Sequence, residues 1–193
     1  MDPKSLRISG DFSDITISVN RVEFHLHKFP LITKSEYFKN AVENTSFIEL
    51  DSLDGGASTF ERVADFCYGK EFDITPSNVV YLNSAAKVLS MTGADGLIER
   101  TEKYLDRIFR EAKNYNRIVP AVVVLAYAST LDKFEENEVF VTAYNVVMEL
   151  WLQPSQSPIF GARSGSPVIN GARHKMPYEP KITRFYWHLA VFQ

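Results

Sequence analysis

The sequence has 193 residues, of which 45% are apolar and 13% aromatic, so it can form one packed domain with an appendage or two small domains. Its 24 acidic and 21 basic residues give a formal net charge of −3, which argues against a general nucleic-acid binder. The N-terminus has no apolar signal-peptide core, and the longest apolar stretch, about 14 residues, is too short to span a bilayer.

The first predicted elements are two short strands joined by a tight turn. Residues 14–20 and 22–27 both alternate apolar and polar side chains, which is the pattern of half-buried strands. Only residues 20–21 separate the two alternating segments. The sequence therefore predicts a β-hairpin at this point.

Short helices and a third strand are predicted after the hairpin. Pro30 suits the first turn of a helix, and Ser35 is a typical N-cap for the next one. Residues 47–50 predict a short strand, and residues 54–56 a turn. A longer helix should then end at Gly69, because glycine readily adopts the left-handed conformation that ends helices.

The second half of the chain is predicted to be helical. Residues 78–91 and 97–109 have the apolar spacing of amphipathic helices, and Gly93 is predicted to end the first of them. Residues 117–131 and 134–152 predict two further helices. Strands followed by a run of helices indicate an α+β fold, a small sheet capped by a helical cluster.

The composition changes at residues 152–154. From residue 154 onward the chain has five basic residues and one acidic residue, whereas residues 1–153 have a net charge of −7. Five of the nine prolines also lie in this segment, so we expect an irregular tail. The aromatic run at residues 185–192 beside basic residues suits peripheral contact with a membrane surface, and a docked strand or non-native sequence is the alternative.

Several of these segments resemble the opening of the BTB/POZ fold. That pattern is a strand beginning with aspartate, then Phe-x-x-His followed by a basic residue, then a Ser-x-Tyr-Phe helix start. The matching residues are Asp14, Phe24, His27, Lys28, Ser35, Tyr37 and Phe38. More narrowly, residues 24–31, 55–69, 74–82 and 91–109 resemble the BTB domain of the plant non-phototropic-hypocotyl family, whose members are phototropin-associated adaptors.

The resemblance implies a domain division. We expect a BTB/POZ domain over residues 12–112, a helical extension over residues 113–152 and a disordered or poorly structured tail over residues 153–193. The long helical second domain typical of the plant family does not fit in the 84 residues after position 109. The chain therefore resembles a member of that family truncated after its BTB domain.

The resemblance also implies a function. It indicates a non-enzymatic adaptor that pairs with itself or with related BTB proteins and recruits substrates to a cullin-3 ubiquitin ligase in plant light or auxin signalling. A phototropin-type receptor kinase would be a further partner. The alternative is a dimerisation or scaffold module without ligase function, which forms mixed dimers with full-length relatives. We expect a cytoplasmic protein, with the nucleus or the periphery of the plasma membrane as other locations.

Five residues are predicted to form the dimer interface. In BTB domains the residues that match Asp14 and Lys28 are charged groups at that interface; an ordinary surface ion pair, worth about 0–1 kcal/mol, is the alternative. Phe29, Leu31 and Ile32 are three large apolar residues within four positions, more than a short helix can bury on one face. We therefore expect them to form an exposed apolar patch.

Two residues of the helix that ends near Gly69 are assigned to a partner-binding face. The position that matches Tyr68 often lies at the cullin-binding face of BTB adaptors, and a half-buried aromatic that covers the helix end is the alternative. Arg62 is expected to be exposed, because the apolar residues around it define the opposite face of the helix. Family members tend to be apolar there, so this charge disfavours a tight cullin-3 contact.

No catalytic, cofactor or metal site is predicted. The sequence has no GxGxxG, GxxxxGK[ST], HExxH or GxSxG motif. Cys67, the only cysteine, lies in a predicted helix interior, which favours a structural thiol and, weakly, a reducing compartment. His25 and His27 could share a metal, but zinc needs at least three protein ligands, so a packed or hydrogen-bonded His27 is favoured.

Overall fold

A three-stranded sheet and a series of helices make up the computed structural model, which describes residues 3–152. The predicted tail, with its aromatic run, lies outside the described residues. In chain order the elements are α1 (Pro3–Ser9), β1 (Ile15–Val19), β2 (Val22–Leu26), α2 (Lys28–Ile32), α3 (Glu36–Ala41), β3 (Phe47–Glu49), α4 (Gly56–Cys67), α5 (Val79–Val88), α6 (Leu97–Tyr115), α7 (Ile118–Ala128), a 3-10 turn (Phe134–Glu136) and α8 (Glu138–Trp151).

The sheet has the strand order β2-β1-β3. Strands β1 and β2 are antiparallel, with Ile17 opposite Phe24, and the two residues between the strands, Asn20 and Arg21, have φ angles of 50° and 67°. Two successive left-handed residues match the right-handed twist of a hairpin, so the predicted turn is confirmed. Strand β3 pairs in parallel with β1 and places Ile48 beside Ile17.

The ends of two helices agree with the sequence. The Ser35 hydroxyl accepts a hydrogen bond from the Phe38 backbone N–H at 3.1 Å, which confirms the predicted N-cap of α3. The same hydroxyl donates to the carbonyl oxygen of Leu89 at 2.6 Å, so it also joins α3 to the end of α5. Helix α4 ends just before Gly69, which has a φ of +71°, as predicted.

The predicted end of α5 is wrong. The helix ends at Val88, and Ser90, with a φ of 51°, is the first left-handed residue after it; Gly93 also has a positive φ, of 112°, but lies beyond the helix end. The early end brings Met91 fully into the core, a tertiary contact that outweighs the preference for glycine. Helix α6 is longer than the predicted 97–109, and its added turns bury Ala112.

The main apolar core lies between the sheet and helices α2 to α5. The phenylalanine rings of this core meet edge to face, with centroid distances of 5.0 Å between Phe24 and Phe60 and 6.4 Å between Phe38 and Phe60. Other members are fully buried: Ile17, Val19, Leu26, Leu31, Val63, Ala64, Leu82 and Leu89. A small sheet capped by helices is the α+β architecture predicted from the order of elements, and the fold class is confirmed.

Helices α6, α7 and α8 pack together after this core. Buried residues on their facing sides include Ile108, Val124 and Val147, and an ion pair of 2.8 Å between Lys113 and Glu149 links α6 to α8. Helix α6 continues past residue 112, where the division between the first domain and the extension was placed. That division stays a prediction. No helix within residues 3–152 combines the length and the hydropathy needed to cross a bilayer.

Helix α1 has no counterpart in the sequence predictions. Its Leu6 packs against the main core, and Arg7 Nε lies 3.4 Å from Oδ1 of the buried Asp65 on α4. Residues before position 12 therefore contact the same core as the sheet. The short polar segment offered no apolar periodicity from which this helix could have been predicted.

Replacing Ser35 with alanine should lower the free energy of unfolding by about 1–3 kcal/mol, because the cap of α3 and the buried donor to Leu89 are both lost. Urea denaturation followed by circular dichroism measures this loss. Ser58→Ala is the matched control: its exposed hydroxyl donates to Gly55 within one turn, and the change should stay within about 0.5 kcal/mol. Equal losses in the two variants would contradict the cross-element role of Ser35.

Candidate functional site

Asp14 and Lys28 are close together but do not form an ion pair with each other in the described part of the chain. The Asp14 carboxylate accepts a hydrogen bond at 2.7 Å from the backbone N–H of Lys28, at the first residue of α2. The Lys28 ammonium group donates instead to the carbonyl oxygen of Val42, at the end of α3, at 3.0 Å. Both charged groups therefore satisfy backbone atoms at helix ends, which otherwise lack partners.

The apolar residues of α2 divide between the core and the surface. Leu31 is fully buried and Ile32 packs against the core, whereas Phe29 is 72% exposed. Residues two positions apart lie on roughly opposite faces of a helix, so Phe29 and Leu31 cannot share one surface. The prediction that all three form an exposed patch is wrong for Leu31, which belongs to the core of its own chain.

Two exposed apolar residues lie in the N-terminal segment before β1. Phe12, in the turn before β1, is 80% exposed, and Ile8 on α1 is 78% exposed. The carbonyl oxygen of Asp11, the neighbour of Phe12, accepts a hydrogen bond of 2.7 Å from His27 Nε2, two residues before Phe29. We call Phe12 and Phe29, which this bond brings to neighbouring segments, the N-terminal apolar surface. A phenylalanine within a Gly-Asp-Phe-Ser-Asp turn was the signal that the sequence offered.

Tyr68 is buried at the end of α4. Its exposed fraction is 3%, and its hydroxyl accepts a hydrogen bond from the His27 backbone N–H at 2.7 Å and lies 2.8 Å from His27 Nδ1. Nε2 donates to the carbonyl oxygen of Asp11, so in the neutral imidazole Nδ1 accepts from the tyrosine O–H. With so little accessible surface, Tyr68 can offer hardly any direct contact to a partner, and the alternative of an aromatic residue that covers the helix end is favoured. His27 is the hydrogen-bonded residue at a strand end that was predicted.

The surroundings of Tyr68 shift its acidity. Burial raises the pKa of the phenol above its ordinary value; the hydrogen bond from the His27 backbone and the positive charge of Arg7 offset this in part. At neutral pH the phenol is therefore protonated, and its O–H remains available as the donor to Nδ1.

Arg62 and Cys67 occupy opposite sides of α4. Arg62 is exposed, as predicted, on the outer side of the helix. Cys67 is buried, and burial raises the pKa of its thiol to about 12, so the nucleophilic thiolate is negligible at neutral pH. His25 Nδ1 lies 3.2 Å from the Thr16 hydroxyl, and the residues that the structure describes contain no group of three potential metal ligands among His, Cys, Asp and Glu.

Comparison with known protein families adds a decisive observation to this geometry. The family model for the BTB/POZ domain matches residues 4–108, which is more than half of the chain. The chain belongs to the BTB/POZ family. BTB domains are protein-interaction modules, generally without enzymatic activity, and they commonly dimerise and bind other BTB proteins.

Similar proteins include several from Arabidopsis thaliana. BTB/POZ domain-containing protein At5g03250 is 40% identical over 111 residues, 52% of this chain and 19% of the relative. BTB/POZ domain-containing protein At5g48800 is 47% identical over 104 residues, 50% of this chain and 17% of the relative. The chain spans about a fifth of the length of such relatives. Among solved structures, the BTB domain of zebrafish PATZ1 has 25% identity and a TM-score of 0.47, covering 53% of this chain and 84% of that one.

Replacing Tyr68 with phenylalanine should destabilise the BTB domain by about 1–3 kcal/mol, because the His27 N–H and Nδ1 lose their shared partner. Thermal and urea unfolding measure the loss. Tyr37→Phe is the matched control, since Tyr37 is half-buried and packs through its ring, edge to face, on Phe38. An unchanged stability in Tyr68→Phe would show that the hydroxyl is dispensable.

Proposed function

We propose that this BTB protein is a dimerising, non-enzymatic substrate adaptor of a cullin-3 ubiquitin ligase, acting in plant light or auxin signalling. The observation that supports dimerisation best is the exposure of Phe29, at 72%, on the helix that also supplies Leu31 to the core. A large aromatic side chain held in water on a rigid element is typical of an interface. The location that this function requires is cytoplasmic or nuclear, or at the periphery of the plasma membrane.

The proposed dimer interface is built on the N-terminal apolar surface and its charged neighbours. Phe29 and Ile32 would contribute apolar area, Asp14 caps the first residue of α2, and Lys28 joins α2 to the end of α3. A two-fold interface uses the same surface on both chains, so the same exposed aromatic residue contributes once from each chain. Leu31 contributes indirectly, because its burial in the core holds α2 in position.

The cullin-3 contact is proposed on the outer side of α4, where Arg62 is exposed. Family membership supports such a contact, whereas Tyr68 takes no direct part because only 3% of its surface is accessible. The resemblance of residues 24–31 and 91–109 to the phototropin-associated family supports the plant pathway and a phototropin-type receptor kinase as a partner. The similarity to Arabidopsis BTB/POZ proteins is consistent with it.

The burial of Tyr68 and the charge of Arg62 also favour a second candidate. A BTB domain that lacks an apolar cullin-binding face would act as a dimerisation or scaffold module without ligase function, and it could form mixed dimers with longer relatives. This candidate shares the dimer interface with the first, and only the cullin contact separates them.

Replacing Phe29 with glutamate should convert the dimer to a folded monomer, because each chain would have to bury a carboxylate in the interface. Light-scattering mass of the full chain across a concentration series measures the change. Val88→Glu is the control: Val88 is 55% exposed on α5, outside the proposed interface, and the variant should remain dimeric. Leu31→Glu should unfold the chain instead of dissociating it, because it places a charge in the core. An unmutated chain that is monomeric at high micromolar concentration would refute the interface.

The cullin-3 contact is tested with the N-terminal region of cullin-3 mixed with the full chain. Co-elution at roughly 10–50 µM supports the adaptor, and its absence favours the scaffold. Arg62→Ala should tighten binding about three- to tenfold, since burying an unpaired guanidinium costs on the order of 1 kcal/mol. Arg110→Ala, at an exposed position of α6, is the charge-matched control and should leave binding unchanged.

A further inference from the structure

A groove of about 580 Å³ lies where α4 ends and α6 begins. Its lining comes from separate parts of the chain: Lys34 between α2 and α3, Phe66 in the last turn of α4, residues 69–74 after it, and Arg100 in the first turn of α6. Within the segment 69–74, Phe72 and Ile74 are half-buried and give the groove an apolar wall. None of these residues belongs to the proposed dimer interface or cullin contact.

Two cations lie against the same aromatic ring in this groove. Lys34 Nζ is 5.7 Å and Arg100 Cζ is 5.2 Å from the centroid of Phe66. Such cation–π contacts hold the charged groups in place without using their N–H donors. Within residues 3–152 neither cation forms an ion pair, so both keep their donors free for a ligand. Arginine can then bind a carboxylate through two parallel hydrogen bonds.

The other charged residues of the groove limit what it can accept. Lys70 is paired with the buried Asp65, with Nζ 3.2 Å from Oδ2, and is therefore less free than Lys34 and Arg100 to bind a ligand. Glu71 and Asp73 are exposed along the same lining, where they repel an extended run of acids. The attractive site is therefore confined to the Phe66 end, and it fits one or two carboxylates rather than a polyanion such as a nucleic acid.

We infer that this groove is a docking site for a short segment of a partner protein in which acidic and apolar residues alternate. The carboxylates bind Lys34 and Arg100 above Phe66, and the apolar side chains pack on Phe72 and Ile74. Charge complementarity with two unpaired cations, together with the apolar wall, selects this occupant. The groove gives the BTB domain a recognition surface that is independent of dimerisation.

The test uses the full chain and a fluorescein-labelled peptide in which Glu and Leu alternate. Fluorescence polarisation should show saturable binding that weakens as salt is added, because exposed ion pairs are screened. The double variant Lys34→Gln with Arg100→Gln should weaken binding at least tenfold, which equals about 1.4 kcal/mol. A peptide with Gln in place of every Glu should lose affinity to a similar degree.

The control variant removes the same charge elsewhere. Lys39→Gln with Arg110→Gln changes one exposed lysine and one exposed arginine on α3 and α6, and it should bind the peptide like the unmutated chain. Circular dichroism of both double variants shows that they are folded. Absence of binding at hundreds of micromolar, an equal loss in the two double variants, or equal affinity for the Gln peptide would overturn the proposal. None of these results depends on whether the chain dimerises or binds cullin-3.

Discussion

The hydrogen bonds between His27 and Tyr68 are the contact on which the arrangement of this BTB domain depends. The tyrosine hydroxyl meets both the backbone N–H and the ring Nδ1 of His27, so the end of α4 is fixed to the end of β2. The other ring nitrogen of His27 binds the carbonyl oxygen of Asp11 and holds the segment before β1. Polar groups withdrawn from water need their partners, so three distant segments are positioned by one cluster.

The orientation of α2 follows from this cluster, because the helix begins one residue after His27. A helix of only five residues has one face for the interior and one for the surface, and here Leu31 occupies the first and Phe29 the second. Core stability and the proposed dimer contact therefore depend on neighbouring residues of one short element. They remain separable, because the two side chains point in opposite directions.

The charged residues differ in what they are free to bind. Asp14 and Lys28 are occupied by backbone atoms of their own chain, and Lys70 is paired with Asp65. The two cations that rest on Phe66 keep their hydrogen-bond donors available. Residue type alone does not distinguish these cases, since each depends on which oxygen atom lies within reach.

The sequence by itself determined the features that depend on a few neighbouring residues. The hairpin, the N-cap at Ser35, the helix end at Gly69 and the α+β order of elements follow from side-chain periodicity and turn chemistry, which act locally. Only the tertiary structure decided that Leu31 and Tyr68 are interior residues. It also placed Lys34 and Arg100, which are far apart in the sequence, against the ring of Phe66. Burial is set by which distant segments pack together, and local sequence preferences carry no information about that packing.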